Sequence, residues 1–265
     1  MLAAVVQLQS TADVQRNLDA VDHWLGVARA RGAELAVLPE NFAYQGSEAD
    51  KREIAEVLGE GPISRRLCAL AGAHGLDLIA GGMPERSDDP QRPYNTSVHI
   101  ARNGALAARY RKIHLFDVDP GDGHAYRESA ATRAGHAPVL TTVQGISVGM
   151  SICYDLRFPE LYRSMQDARV VTVPAAFTLA TGKDHWQVLL RARAIENQVF
   201  VLAPGQHGTH PDTGRTTYGK SMIIDPWGDV LAQAPEGAGV AVAELDFARQ
   251  DALRRAMPVC AHRRL

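Results

Sequence analysis

Cysteine is scarce in this chain. Cys68, Cys153 and Cys260 are the three present, far apart and without a C-x-x-C pair. An odd, sparse set excludes a disulfide framework and fits a reducing compartment. Excess charge is lacking too, since 28 Lys and Arg meet 30 Asp and Glu. That balance supplies no field for nucleic acid or a membrane surface. Arg254, Arg255, Arg263 and Arg264 form only short pairs and read as solvated helix and tail charges. No window approaches the ~20 apolar residues that a bilayer span needs. The opening MLAAVVQLQS lacks the basic region and long apolar run of a secretory leader, so a cytoplasmic protein is expected. His114, His124, His136, His207 and His210 do not share metal-ligand spacing, and no Cys/His cluster accompanies them. Repeats, low-complexity linkers and composition breaks are missing as well, which makes residues 1–265 a single domain.

What the chain has is core material, with 46% hydrophobic residues. Apolar, β-branched runs at 2–8, 35–38, 77–82, 146–152, 170–173 and 199–203 predict buried strands. Val14, Leu18, Val21, Leu25 and Ala28 recur at helical spacing between cap candidates at 11–13 and Gly32. Further helices are expected at 50–58, 63–74, 159–166, 183–197 and 247–255. Asn103-Gly104 between 94–101 and 106–111 is a hairpin signal, because both residues tolerate positive φ. Pro226-Trp227-Gly228-Asp229 joins strands 222–225 and 230–233, and 139–143 and 240–245 add two more. Helix-linked crossovers mixed with hairpins predict an α/β fold of two mixed sheets facing each other, with helices outside.

Three chemically useful residues share a position in this plan. Glu40, Lys112 and Cys153 each follow a strand, so neighbouring strands would bring them to one rim. A thiol of pKa ~8.5 is mostly protonated at neutral pH and needs a base. Glu40 suits that task, while Lys112 and the Tyr154 backbone N–H suit an oxyanion. Glu40 read alone is a rim carboxylate salt-bridged to Lys112, and Cys153 alone a small buried hydrophobe. Cys68 and Cys260 read as non-catalytic. Trp186 and Trp227 read as packing residues.

The residues around these three carry a resemblance. Pro39-Glu40-Asn41-Phe42, Tyr110-Arg111-Lys112-Ile113-His114 and Cys153-Tyr154-Asp155-Leu156-Arg157-Phe158-Pro159-Glu160 resemble the signature motifs of the nitrilase, or carbon–nitrogen hydrolase, superfamily. They stand in the family's order, and Ala192-Arg193-Ala194-Ile195-Glu196-Asn197 and Asp225-Pro226-Trp227-Gly228 match later landmarks. The resemblance implies a four-layer α-β-β-α sandwich that pairs through its outer helices into a homodimer or higher oligomer. It implies Glu40 as base, Lys112 as oxyanion stabiliser and Cys153 as nucleophile, with Glu128 supporting the lysine. It implies no metal and no organic cofactor, and a small-molecule amide as the binding partner.

Within the superfamily, YDLRFPE, the stretch from Ala176 to Trp186 and LLRARAIENQ resemble a branch that cleaves the γ-amide of 2-oxoglutaramate-like units. Arg157, Thr181 and Phe177 are carried over from that branch as substrate-binding residues. An arginine four residues past the nucleophile has the reach to hold a carboxylate bidentately; its structural alternative is pairing with Asp155 or Glu160. The expected activity is amide hydrolysis of deaminated glutathione, with omega-amidase, nitrilase and N-carbamoyl hydrolase activities as alternatives. A non-catalytic binding protein on the same fold is the alternative of another class.

Overall fold

The computed structural model describes residues 1–119 and 125–264. His124, among the histidines read as non-ligands, lies outside the described residues. In chain order the elements are β1 (Leu2–Gln7), α1 (Val14–Ala30), β2 (Leu35–Leu38), α2 (Glu48–Glu53), α3 (Pro62–His74), β3 (Asp77–Glu85), β4 (Tyr94–Ile100) and β5 (Leu106–Arg111). Then come β6 (Val139–Val143), β7 (Ile146–Met150), α4 (Pro159–Ser164), β8 (Val170–Thr172), α5 (Leu179–Asn197), β9 (Phe200–Ala203), β10 (His207–Thr209) and β11 (Thr216–Tyr218). β12 (Met222–Ile224), β13 (Val230–Gln233), β14 (Gly239–Glu244), α6 (Phe247–Ala256) and α7 (Val259–His262) close the chain.

Two mixed six-stranded sheets form, in the orders β14-β1-β2-β3-β4-β5 and β13-β12-β9-β8-β7-β6. In each, three central strands run parallel: β1, β2 and β3 in one, and β7, β8 and β9 in the other. Parallel strands need both faces covered, and the side-chain alternation supplies both coverings. Ala3, Val5, Leu35 and Val37 face the core shared with the second sheet. Ala4, Val6, Ala36 and Leu38 pack against Leu18, Val21 and Leu25 of α1 and Leu67 and Leu70 of α3. Buried Trp186, Leu190 and Ala194 bring α5 onto the second sheet. The result is the expected α-β-β-α sandwich.

Several boundaries differ from the sequence reading. α2 is a short capped helix over Glu48–Glu53 rather than 50–58, because Glu56 bridges Glu85 and accepts from the N–H groups of Ile63 and Ser64. α5 begins at Leu179 instead of 183, where the Thr178 side chain caps it. β3 continues through a bulge at Gly81-Gly82 to Glu85. β10 and β11 are a hairpin where no strand was expected. Trp186 is fully buried, but Trp227 is 56% exposed.

Candidate active site

β5 runs in the same direction as β2 and β3, since two antiparallel pairings separate it from β3. Glu40, beyond β2, and Lys112, beyond β5, therefore emerge at one end of the first sheet. Cys153 emerges beyond β7 at the facing end of the second. Its N–H donates to the Pro174 carbonyl at 2.8 Å, and Pro174 abuts Gly81 of β3. The three side chains meet where the two sheet ends face each other.

Cys153 opens a 3-10 turn over Cys153–Arg157 with φ +48°, a left-handed conformation that costs a non-glycine residue ~1–3 kcal/mol. Fully buried Asp155 holds this turn. Its carboxylate accepts from the Ile152 N–H at 2.9 Å, the Tyr110 hydroxyl at 2.7 Å and the His114 N–H at 3.0 Å. Tyr110 and His114 flank Lys112, so one carboxylate fixes the thiol turn relative to the lysine segment.

Lys112, only 2% exposed, donates from Nζ to Glu40 Oε1 at 2.9 Å and to Glu128 Oε2 at 2.8 Å. Glu40 Oε2 accepts from the Ala176 N–H at 2.9 Å, and the Cys153 thiol hydrogen-bonds the same carboxylate. Asn95 Nδ2 bridges Glu40 Oε1 and Glu128 Oε1 at 2.9 and 3.3 Å. Gln206 supports the backbone by donating to the Glu40 carbonyl at 3.1 Å.

The charge states follow from these contacts. Burial pushes the Glu40 carboxyl up, but the Lys112 charge and its hydrogen bonds outweigh burial, and the net direction is down. Burial works against the Lys112 ammonium, yet Glu128 and Glu40 lift it well above its ordinary 10.5. Burial and then the Glu40 charge push the Cys153 thiol well above 9.0, against a smaller opposing pull from Lys112. The resting site is thus a carboxylate, an ammonium and a neutral thiol. That set can transfer a proton from sulfur to Glu40 as sulfur attacks a carbonyl.

The cleft above these groups holds about 890 Å³ of space including its open mouth. Glu40, Lys112, Glu128, Cys153, Tyr154, Phe177 and Thr181 all line it. Tyr154 follows Cys153 in the first turn of a short helix, where N–H groups lack helical acceptors. Thr181 Oγ1 meets Thr178 Oγ1 at 2.9 Å. Arg157 does not line the cleft. Its guanidinium lies 5.2 Å from the Phe177 ring centroid and meets His185 Nδ1 at 3.3 Å, pairing with neither Asp155 nor Glu160. Sequence reasoning missed Asn95 and the cations Lys51, Arg127 and Arg215, all in the cleft wall. Nothing local marks them; they arrive from a short helix, a strand start, an irregular segment and an unexpected hairpin. Among the described residues no group of three or more His, Cys, Asp or Glu could hold a metal, and no helix is long and apolar enough to cross a membrane.

Comparison with known proteins gives a consistent result. The carbon–nitrogen hydrolase profile matches residues 2–255. A deaminated glutathione amidase from Synechocystis is 46% identical over 267 residues, covering 99% of this chain and 97% of that protein. The crystal structure of the Caenorhabditis elegans NitFhit protein superposes with a TM-score of 0.92 at 36% identity, covering 99% of this chain and 65% of that one. A Saccharomyces cerevisiae member of branch 10 of the nitrilase superfamily gives a TM-score of 0.87 at 30% identity, covering 100% of this chain and 97% of that one.

Proposed function

The chain belongs to the carbon–nitrogen hydrolase family and hydrolyses amides, and from that premise we propose that its substrate is deaminated glutathione, cleaved at the γ-amide into 2-oxoglutarate and cysteinylglycine. One observation carries the reading: a neutral thiol and an ammonium both meet one carboxylate beneath a cleft lined by further cations, and this substrate is an amide with a carboxylate at each end. The 46% identity to a protein named for that activity supports it.

In the proposed mechanism Glu40 takes the Cys153 proton as sulfur attacks the amide carbon. Lys112 stays charged throughout, since its two carboxylates hold its proton, and it stabilises the oxyanion together with the Tyr154 N–H. Glu128 fixes the ammonium. Collapse of the tetrahedral intermediate passes the Glu40 proton to the departing amine and leaves a thioester on Cys153. Water then gives a proton to Glu40, attacks the thioester and releases 2-oxoglutarate as the proton returns to sulfur. Phe177 and Thr181 bound the acyl part, and Arg157 reaches its carboxylate only if the side chain leaves His185.

The finer assignments belong to the same proposal. Sparse, unpaired cysteines suit a cytoplasmic enzyme. Val188 and Ile195 on α5 and nearby Trp227 are exposed apolar groups that suit a homodimer interface. A substrate panel tests the reading: deaminated glutathione, 2-oxoglutaramate, a nitrile and an N-carbamoyl amino acid, with 2-oxoglutarate and amine release measured. Deaminated glutathione should give the highest kcat/KM. Turnover of the nitrile or the carbamoyl compound alone would overturn it.

A further inference from the structure

We propose that Arg215 binds the carboxylate on the leaving-group side of the substrate, and so selects amides ending in a C-terminal carboxylate over small primary amides. This rests on the amidase reading above and goes beyond it by assigning the part of the substrate that leaves. The acyl part stays bonded to Cys153 as a thioester, so it must occupy the floor of the cleft. The amine leaves first and must lie toward the mouth. Cysteinylglycine spans two residues, so its carboxylate lies up to about 7 Å from the scissile nitrogen when extended. A cation is needed there, and Lys112 cannot serve because it is buried and held by Glu40 and Glu128.

Three other cations line the cleft. Lys51 is partly neutralised by Glu48 at 3.4 Å. Arg127 is exposed and directs Nη1 to the Tyr126 carbonyl at 2.7 Å. Arg215 is half-buried, and its guanidinium carbon lies over the Tyr126 ring, 4.9 Å from the centroid. A cation–π contact holds the guanidinium through its charge and offers it no hydrogen-bond acceptor of the carboxylate kind, so its N–H donors can serve a carboxylate.

Arg215 is also held in place. It precedes β11, and its carbonyl accepts from the His210 N–H at 2.8 Å. His210 is fully buried, with Nδ1 at 2.9 Å from the Ser10 carbonyl and Nε2 at 2.8 Å from Thr217 Oγ1. The hairpin is joined to the segment before α5 by a bridge between Thr178 and Thr217 and by the Tyr218 N–H on the Phe177 carbonyl at 2.9 Å. The neighbouring Ala176 N–H is the one that holds Glu40. The arginine is therefore positioned by the same framework as the base, which fits a group that fixes where the scissile bond sits.

The experiment compares deaminated glutathione, the same compound with its glycine carboxylate capped as an amide, and 2-oxoglutaramate. The unmutated enzyme should prefer the free acid to the capped compound by about 10- to 100-fold in kcat/KM, mainly through KM. In Arg215→Gln that preference should collapse, and Arg215→Lys should restore part of it. Equal losses on all three substrates, or a preference intact in Arg215→Gln, would overturn the assignment. An unmutated enzyme that hydrolyses none of the three overturns the deaminated glutathione reading itself, and this assignment with it.

Discussion

A neutral thiol beside a carboxylate is a weak nucleophile until its proton has somewhere to go, and that constraint fixes the pH behaviour of Cys153. In the proposed mechanism Glu40 acts as a base while ionised, and its carboxyl is held below its ordinary 4.5. Activity should therefore persist above that value and fall only as pH drops through the lowered one. Cys153 and Lys112 titrate above 9.0 and 10.5 respectively, so no alkaline limb should appear near a normal thiol value. We expect kcat/KM to be flat from ~6 to ~9. An inflection near 8.5 in the rate of Cys153 alkylation would show an ordinary free thiol and refute the coupled site. Lys112 presents a different problem, because deleting it leaves two carboxylates facing each other without a counter-charge. Lys112→Ala should lower kcat by ~10²–10³ and stability by ~3–5 kcal/mol. Adding Glu128→Gln should recover much of the melting temperature and none of the turnover. Recovered turnover would mean that Lys112 only stabilises the fold.

At the level of elements, the site depends on irregularities in otherwise regular strands. Gly82 lies in the β3 bulge at φ +65°, and a Cβ there would come within 2.6 Å of the Glu40 Cγ. Gly82→Ala should cost ~1–3 kcal/mol through backbone strain and displace the base as well. The check is a drop in kcat larger than the fall in melting temperature explains; a stable variant with normal kcat would free Glu40 from this constraint. Asp155 performs the matching role on the second sheet. Tyr110→Phe removes one donor to its buried carboxylate and should cost about 1–3 kcal/mol in urea unfolding. It should also lower kcat, because Tyr110 ties the thiol turn to the strand that delivers Lys112. A stability loss without any kinetic effect would show that the clamp does not reach the chemistry. Neither device can be read from periodicity, since a glycine pair in a strand and an acidic residue after a cysteine fit many arrangements.

On the scale of the whole molecule, the layers were legible because each buried strand carries a continuous apolar run and α1 keeps its apolar residues at helical spacing. Glu40, Lys112 and Cys153 were singled out because each sits just past a strand and because the motifs around them resemble the superfamily's signatures in the same order; position alone left Glu40 and Cys153 with structural readings. Arg127 and Arg215 were not, because their approach depends on how an irregular segment and a three-residue-stranded hairpin fold back over the cleft. Trp227, read from the sequence as a packing residue, is 56% exposed, and its neighbourhood suits a second copy of the chain. Val188 and Ile195, seven residues apart on one face of α5, are 66% and 43% exposed. Gly228, next to Trp227, lies against Ile195 and accepts from Arg191 Nε at 2.7 Å, so the turn extends the same apolar patch. If the homodimer forms through this face, Val188→Asp with Trp227→Arg places two charges in it. Exposed sites change monomer stability by only about 0.5 kcal/mol. Light scattering should therefore find the unmutated protein as a dimer and the double variant as a folded monomer. A monomeric unmutated protein, or a double variant that still pairs, would move the interface away from α5.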